Sequence, residues 1–229
     1  MFITNIERLP RKKNRIYIDG EYAFMLYDRD IAAYKLERYT DSDPDLEQGV
    51  CPELPEHLYE KIMKETVIRR AHQKAVALLE RMDRSEADLR RHLKLDMYSE
   101  SVTDETVLWL KSLHYLDDDR FAQSYIRGRI ENTSKQELTS KLLAKGVAKD
   151  VINAAYDVCC EEVGLKSGTD FEDRAAVKVL KKKLGSKSSL TPKERMSILG
   201  YMMRKGFGRR EIIAAFDELG IAIGYEETN

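Results

Sequence analysis

The chain has 229 residues, of which 42% are hydrophobic and 34% charged, and its formal net charge is −1. That size suits one small module plus a helical array and leaves no room for a large α/β enzyme with insertions. No apolar run reaches the ~18 to 20 residues of a membrane span, and Met1 to Pro10 lacks the apolar core of a signal peptide, so a cytoplasmic protein that avoids membranes is expected.

The segments Arg15 to Ile18 and Glu21 to Tyr27 predict two strands joined through Asp19 and Gly20. An Asp-Gly pair supplies the two positive-φ positions of a type I′ turn. Tyr17, Ile18, Tyr22, Phe24 and Leu26 add β-favouring side chains. The basic cluster ahead of the turn, Arg8, Arg11, Lys12, Lys13 and Arg15, is either a contact surface or a solubilising edge. Residues 40–56 then collect Asp41, Ser42, Asp43, Pro44, Asp45, Gly49, Pro52 and Pro55, which is the chemistry of a linker. No proline or glycine follows Pro55 for more than twenty residues, so a helix from Glu56 is expected to run unbroken into the next one.

Beyond the linker the chain repeats itself. Lys145, Gly146, Val147, Ala148 and Lys149 return sixty residues later as Lys205, Gly206, Phe207, Gly208 and Arg209. The same offset carries Leu142 onto Met202, Ile152 onto Ile212 and Tyr156 onto Phe216. Each copy is a helix, a glycine stop and a second helix. Helix starts repeat too: Ser85 with Asp88, Ser134 with Glu137 and Thr191 with Glu194 have capping-box spacing. A preceding helix aligns at an offset of 54, taking Asp119, Arg120, Tyr125 and Arg127 onto Asp173, Arg174, Val179 and Lys181. Three tandem three-helix repeats follow, with helices at about 66–82, 86–95 and 103–114, then 118–131, 135–145 and 149–162, then 171–184, 192–205 and 209–219. Trp109, Leu110 and Leu113 are assigned to the buried face of the third helix. The fold class is therefore mainly α: an elongated curved array behind a small β-hairpin module, with its usual output a binding surface. The domain boundaries read as 1–55 for the module and linker, 56–116, 117–165 and 166–220 for the repeats, and 221–229 for a tail.

Charge is unevenly placed. Residues 166–219 hold 13 basic against 7 acidic side chains, a net of +6 in a chain that is nearly neutral overall. Arg174, Lys178, Lys181 and Lys182 are spaced to share one helical face. Arg120 and Arg127 occupy the equivalent positions of Arg174 and Lys181 one repeat earlier, and Arg209 and Arg210 open the last helix. A basic stripe that recurs between repeats suits a polyanion or an acidic protein groove. No zinc-finger spacing or aromatic-rich sheet offers base readout, so phosphate contacts would dominate any nucleic-acid binding.

Catalytic signals are weak. Asp117, Asp118 and Asp119 have the charge to hold Mg²⁺, but they stand where a helix begins and read as its cap. Asp173 repeats Asp119, in keeping with a structural role. His57, His72, His92 and His114 form no metal-ligand pair, and neither a phosphate loop nor a nucleophile motif is present. Cys51, Cys159 and Cys160 imply no disulfide framework, and the adjacent pair reads as helix packing. No cofactor or metal is expected, and a monomer is, because repeats cover one another's apolar faces.

The stretch Tyr115, Leu116, Asp117, Asp118, Asp119, Arg120, Phe121, Ala122, with Tyr125 and the Lys145, Gly146, Val147 stop, resembles the signature of the RecX family. Arg84, Ser85, Glu86 and Leu89 in the first copy, and Lys205, Gly206 and Phe207 in the last, are similar to the same family's pattern, over roughly residues 66 to 220. The hairpin with Asp19, Gly20, Glu21, Tyr22, Ala23 and Phe24 resembles the extension of longer members. The resemblance implies a non-enzymatic regulator of DNA repair and recombination that lies in the groove of the RecA recombinase filament on single-stranded DNA and commonly inhibits it. Glu131 to Gln136 lacks the arginine-rich, glycine-proline stretch of many members, which moves the expected DNA contact to the third repeat. On that reading Arg120, Arg127, Arg174, Lys178, Lys181, Lys182, Arg209 and Arg210 form the filament- or DNA-binding surface. The other readings are a DNA-binding protein acting without RecA and a metal-dependent nuclease centred on Asp117 to Asp119.

Overall fold

A computed structural model describes residues 1–40, 52–162, 168–185, 187 and 189–221. Most of the predicted linker with Cys51, and all of the tail beyond Ile221, lie outside the described residues. The chain divides into two compact units, Met1–Leu116 and the part from Asp117 onward.

The first unit opens with a three-stranded antiparallel sheet of β1 (Ile3–Leu9), β2 (Lys13–Ile18) and β3 (Glu21–Tyr27), in that spatial order. The predicted hairpin is β2–β3. Asp19 and Gly20 take φ values of 50° and 87°, the two positive values that the turn demands. The strand β1 was not foreseen, because Ile3, Thr4, Asn5, Ile6 and Glu7 do not alternate cleanly. The turn itself recruits it: Gly20 N–H donates to Thr4 Oγ1 at 3.0 Å, and Asp19 exchanges hydrogen bonds with the Phe2 backbone. Ile3, Ile16, Phe24 and Leu26 bury one sheet face against α1 (Asp28–Tyr34), α2 (Glu56–Ile62) and α3 (Arg69–Arg81). The helix from Glu56 does run unbroken to Arg81, with its middle, Met63–Ile68, widened into a π-helical stretch. Thr66 in that stretch meets the Tyr34 hydroxyl at 2.7 Å.

With α4 (Glu86–Leu95) and α5 (Glu100–Ser112), α3 forms the first three-helix repeat, around Leu89, Leu93 and Leu110, each fully buried. Leu113 departs from its expected place and is 45% exposed. It caps the end of α5, where the chain reverses through His114, so it has left the helical face that buries Leu110. Trp109 is only partly buried, its ring stacked flat on His72 at 3.9 Å. Burial lowers the His72 pKa below its ordinary value, more than nearby Glu105 raises it.

The second unit holds α6 (Asp118–Arg127), α7 (Lys135–Ala144), α8 (Lys149–Glu162), α9 (Gly168–Leu184), α10 (Pro192–Arg204) and α11 (Arg209–Glu218). Ile126, Leu138, Leu142, Ile152 and Tyr156 centre one core, and Ala176, Leu180, Met202, Ile212 and Phe216 the other. Phe171 of α9 lies in the first of these cores and joins the two repeats. Cys159 and Cys160 are buried free thiols, and burial raises the pKa of both. Of the three predicted capping boxes, Thr191 with Glu194 alone closes reciprocally. Ser134 accepts from Glu137 N–H, but the Glu137 carboxylate turns to Lys141 and Lys205 instead of closing the box. Ser85 likewise caps Asp88, whose carboxylate pairs with Arg84 at 2.5 Å. Asp173 is also displaced from its predicted role: α9 begins at Gly168, so Asp173 sits inside the helix and pairs with Arg210.

The glycine stops are Schellman closures. Val147 N–H bonds to Leu142 O and Gly146 N–H to Leu143 O, while Phe207 and Gly206 repeat both bonds on Met202 and Met203. The first copy has the same closure with Met97 in the left-handed position at φ 65°, which hid it from a search for glycine. Gly206 is doubly constrained, since a Cβ there would stand 2.6 Å from Ser134 Oγ as well as at φ 81°. The equivalence makes opposite changes at equivalent sites: Gly206→Ala is expected to cost about 2 kcal/mol, and Met97→Gly to gain about 0.5 to 1 kcal/mol. Urea titration of each variant checks both, and destabilisation by Met97→Gly would contradict the shared closure.

Candidate functional site

All eight predicted basic residues are exposed. They fall on three helices of the second unit. Arg120 and Arg127 are seven residues apart on α6, hence on one face. Arg174, Lys178, Lys181 and Lys182 stand along α9, and Arg209 and Arg210 open α11.

Their electrostatic states differ. Arg127 makes a two-pronged pair with Glu162 of α8, at 2.9 and 2.8 Å. The hydrogen bond to Glu162 raises the Arg127 pKa, and the one from Arg127 lowers that of Glu162. Lys178 pairs with Glu131, whose carboxyl it holds below the ordinary value. Arg210 reaches Asp173 at 3.4 Å and Glu211 at 3.1 Å. Arg174, Lys181 and Lys182 have no ion-pair partner among the described residues. The stripe predicted from spacing is thus a field of partly answered charges around an unanswered centre on α9.

The run Lys181, Lys182, Lys183 is itself divided. It complements the dipole at the end of α9. Lys183 leaves the stripe and lies 4.9 Å from the Tyr201 ring centroid. Arg209 and Arg210, in contrast, stand in the first turn of α11, where the helix dipole disfavours cations. Sequence reading missed one further cationic group, Arg129 and Lys145 around Tyr125, at 4.0 and 5.9 Å from its ring. Arg129 follows Tyr125 by four residues, a helical spacing that could have found this contact, whereas Lys145 comes to the ring only through packing.

Asp117, the first of the acidic run, belongs to the scaffold. Asp117 Oδ1 accepts from Arg120 N–H at 3.0 Å and caps α6. Among the described residues no group of three His, Cys, Asp or Glu side chains is gathered as a metal site. Nor is any described helix long and apolar enough to cross a membrane.

Residues 117–155 match the family model described as the second three-helix domain of RecX. Regulatory protein RecX of Clostridium acetobutylicum is 26% identical over 230 residues, covering 95% of both chains. Regulatory protein RecX of Clostridium beijerinckii is 26% identical over 210 residues, covering 90% of this chain and 89% of that one. A solved structure described as the crystal structure of regulatory protein RecX covers 96% of this chain and 99% of its own, with a TM-score of 0.54 at 20% identity, so the fold is shared. With the repeated helix closures, the capped acidic start of α6 and relatives matched along nearly their whole length, the chain belongs to the RecX family.

Proposed function

We propose that this chain is a regulator that binds the filament of the RecA recombinase on single-stranded DNA and lowers the recombinase's activity, without catalysis of its own, as a monomer in the cytoplasm. One observation supports the reading: Arg174, Lys181 and Lys182 are exposed on one helix, with no carboxylate among the described residues in an ion pair with them. Charges held this way are available to a polyanionic or acidic partner at no cost in broken ion pairs. The paired cations around them support the reading in a second way, because Glu131, Glu162 and Asp173 hold Lys178, Arg127 and Arg210 on the surface. Arg209 and Arg210 stand at a helix end that electrostatics alone would leave acidic, which fits selection for an external contact. The names of the relatives, all regulatory proteins, agree with a role in control. Several modest contacts from successive repeats to neighbouring filament subunits would add as avidity.

The test is ATP hydrolysis by RecA on single-stranded DNA, with this protein titrated against the recombinase of the same organism. Suppression at ratios well below one chain per recombinase subunit is the expected result. No effect at any ratio, with tight binding to naked single-stranded DNA, would replace the reading by one of a DNA-binding protein that acts without RecA.

A further inference from the structure

A hollow of about 1050 Å³ in the first unit has mixed charge, and its Arg8 is answered by Glu37. A smaller one, about 480 Å³, opens beside the edge strand β3 and has a different character. Its walls carry Arg11, Lys12, Arg29 and Arg70 together with the rings of Tyr27 and Tyr98, and among the described residues no carboxylate lines it. Asp96, whose charge acts on Tyr98, is paired with Lys74 at 2.8 Å, and Asp30 is likewise committed. Its two oxygens accept from Arg70 at 2.6 and 2.8 Å, and one of them also accepts from Tyr27 N–H. That pair fixes the Arg70 guanidinium on the wall, 5.2 Å from the Tyr27 ring centroid, with Arg29 at 5.9 Å from the same ring.

The remaining cations are placed at some conformational cost. Arg11 and Lys12 sit consecutively at φ values of 64° and 61° in the turn from β1 to β2. A side chain disfavours that region by roughly 1 kcal/mol per residue. The turn thereby brings two exposed cations to a cleft that Tyr27 and Tyr98 also line.

We propose that this cleft is a binding site for single-stranded nucleic acid, in which Arg11, Lys12 and Arg29 hold backbone phosphates while an unpaired base stacks among Tyr27, Tyr98 and the Arg70 guanidinium. Cations tracking a backbone beside rings that accept any base are the chemistry of sequence-tolerant single-strand sites. A duplex, with its bases already stacked, would leave the rings unused. The site lies in a different unit from the stripe on α9 and requires no recombinase, so it stands or falls separately from the filament reading.

The experiment is fluorescence anisotropy of a labelled oligothymidylate with the full chain and no recombinase present. Because Arg29 also reaches Asp30 at 3.8 Å, the variant Arg11→Glu/Lys12→Glu/Arg29→Gln sets no carboxylate against Asp30 and keeps its pair with Arg70, and unchanged circular dichroism and Trp109 fluorescence verify its fold. We expect its affinity to fall at least about tenfold, and the slope of log K against log salt to shrink by about 2 to 3. Photocross-linking should place the oligonucleotide on peptides containing Tyr27 or Tyr98 in the unaltered chain and not in the variant. A parallel variant, Arg174→Glu/Lys181→Glu/Lys182→Glu, should keep those cross-links. Unchanged affinity and slope in the folded triple variant would overturn the proposal. So would full competition by free thymidine monophosphate or pyrophosphate at micromolar concentration, because the cleft would then serve a small anion and not a strand.

Discussion

On the proposed reading, reversing Arg174, Lys181 and Lys182 to glutamate is expected to lower the affinity for the RecA filament by on the order of tenfold to a hundredfold at moderate salt. The three side chains carry no ion pair among the described residues, so their replacement removes attraction without freeing a buried or paired acid. All three are exposed on α9, whose packing rests on Ala176 and Leu180 on its other side, and helicity by circular dichroism stays unchanged. Single exposed charges contribute little, so the cluster has to be changed as one. Lys178→Glu makes an informative comparison, because it also places a second carboxylate against Glu131. Filament pelleting with each variant reads the effect. Retention of full affinity by the triple variant removes the α9 stripe from the interface.

Asp30→Ala should lower the stability of the first unit by about 3 kcal/mol. The side chains of Arg70 and Asp30 are only 19% and 10% exposed, so the change strands a mostly buried guanidinium and also deletes the acceptor for Tyr27 N–H at the start of α1. Trp109, the one tryptophan of the chain, lies in the same unit and reports its urea transition. The double variant Asp30→Ala/Arg70→Met is expected to recover part of the loss, since it removes the stranded charge. The pH dependence has a definite sign. Burial raises the Asp30 pKa, but the hydrogen bonds from Arg70 and Tyr27 and the charges of Arg70 and Arg29 together outweigh it and bring the pKa below 3.8. A carboxyl whose pKa is depressed on folding stabilises fully above its unfolded value and loses that contribution as pH falls through the folded one. The gap between unaltered protein and variant is therefore constant near neutrality and closes only below pH 3.8. A gap that persists undiminished in strong acid would contradict the ion-pair origin.

Helix positions were legible because capping and periodicity are local. The spacing of Leu89 and Leu93, and the hydroxyls of Ser85, Ser134 and Thr191, place α4, α7 and α10 within a residue or so of where they lie. The reciprocal halves of two capping boxes do not form, because Asp88 and Glu137 turn to Arg84 and Lys141, four residues away and competing at a spacing the sequence does show, and Glu137 also meets Lys205, which only packing brings to it. The same holds for the candidate surface. Spacing puts Arg174, Lys178, Lys181 and Lys182 on one face of α9, but only the folded unit brings Glu131 to Lys178 and Glu162 to Arg127.

By itself, the sequence determined the three repeated helical units, the Asp-Gly hairpin and the recurrence of basic positions, all of which depend on contacts within a few residues or on internal repetition. Only the tertiary structure decided that β1 completes a sheet, that Met97 closes a helix as Gly146 does, and which cations remain unanswered. It alone assembled Arg11, Lys12, Arg29 and Arg70 around Tyr27 and Tyr98, drawing on a turn, a helix start, a second helix and a distant loop. Such constellations depend on contacts between residues as far apart as 11 and 98, and no local spacing rule encodes them.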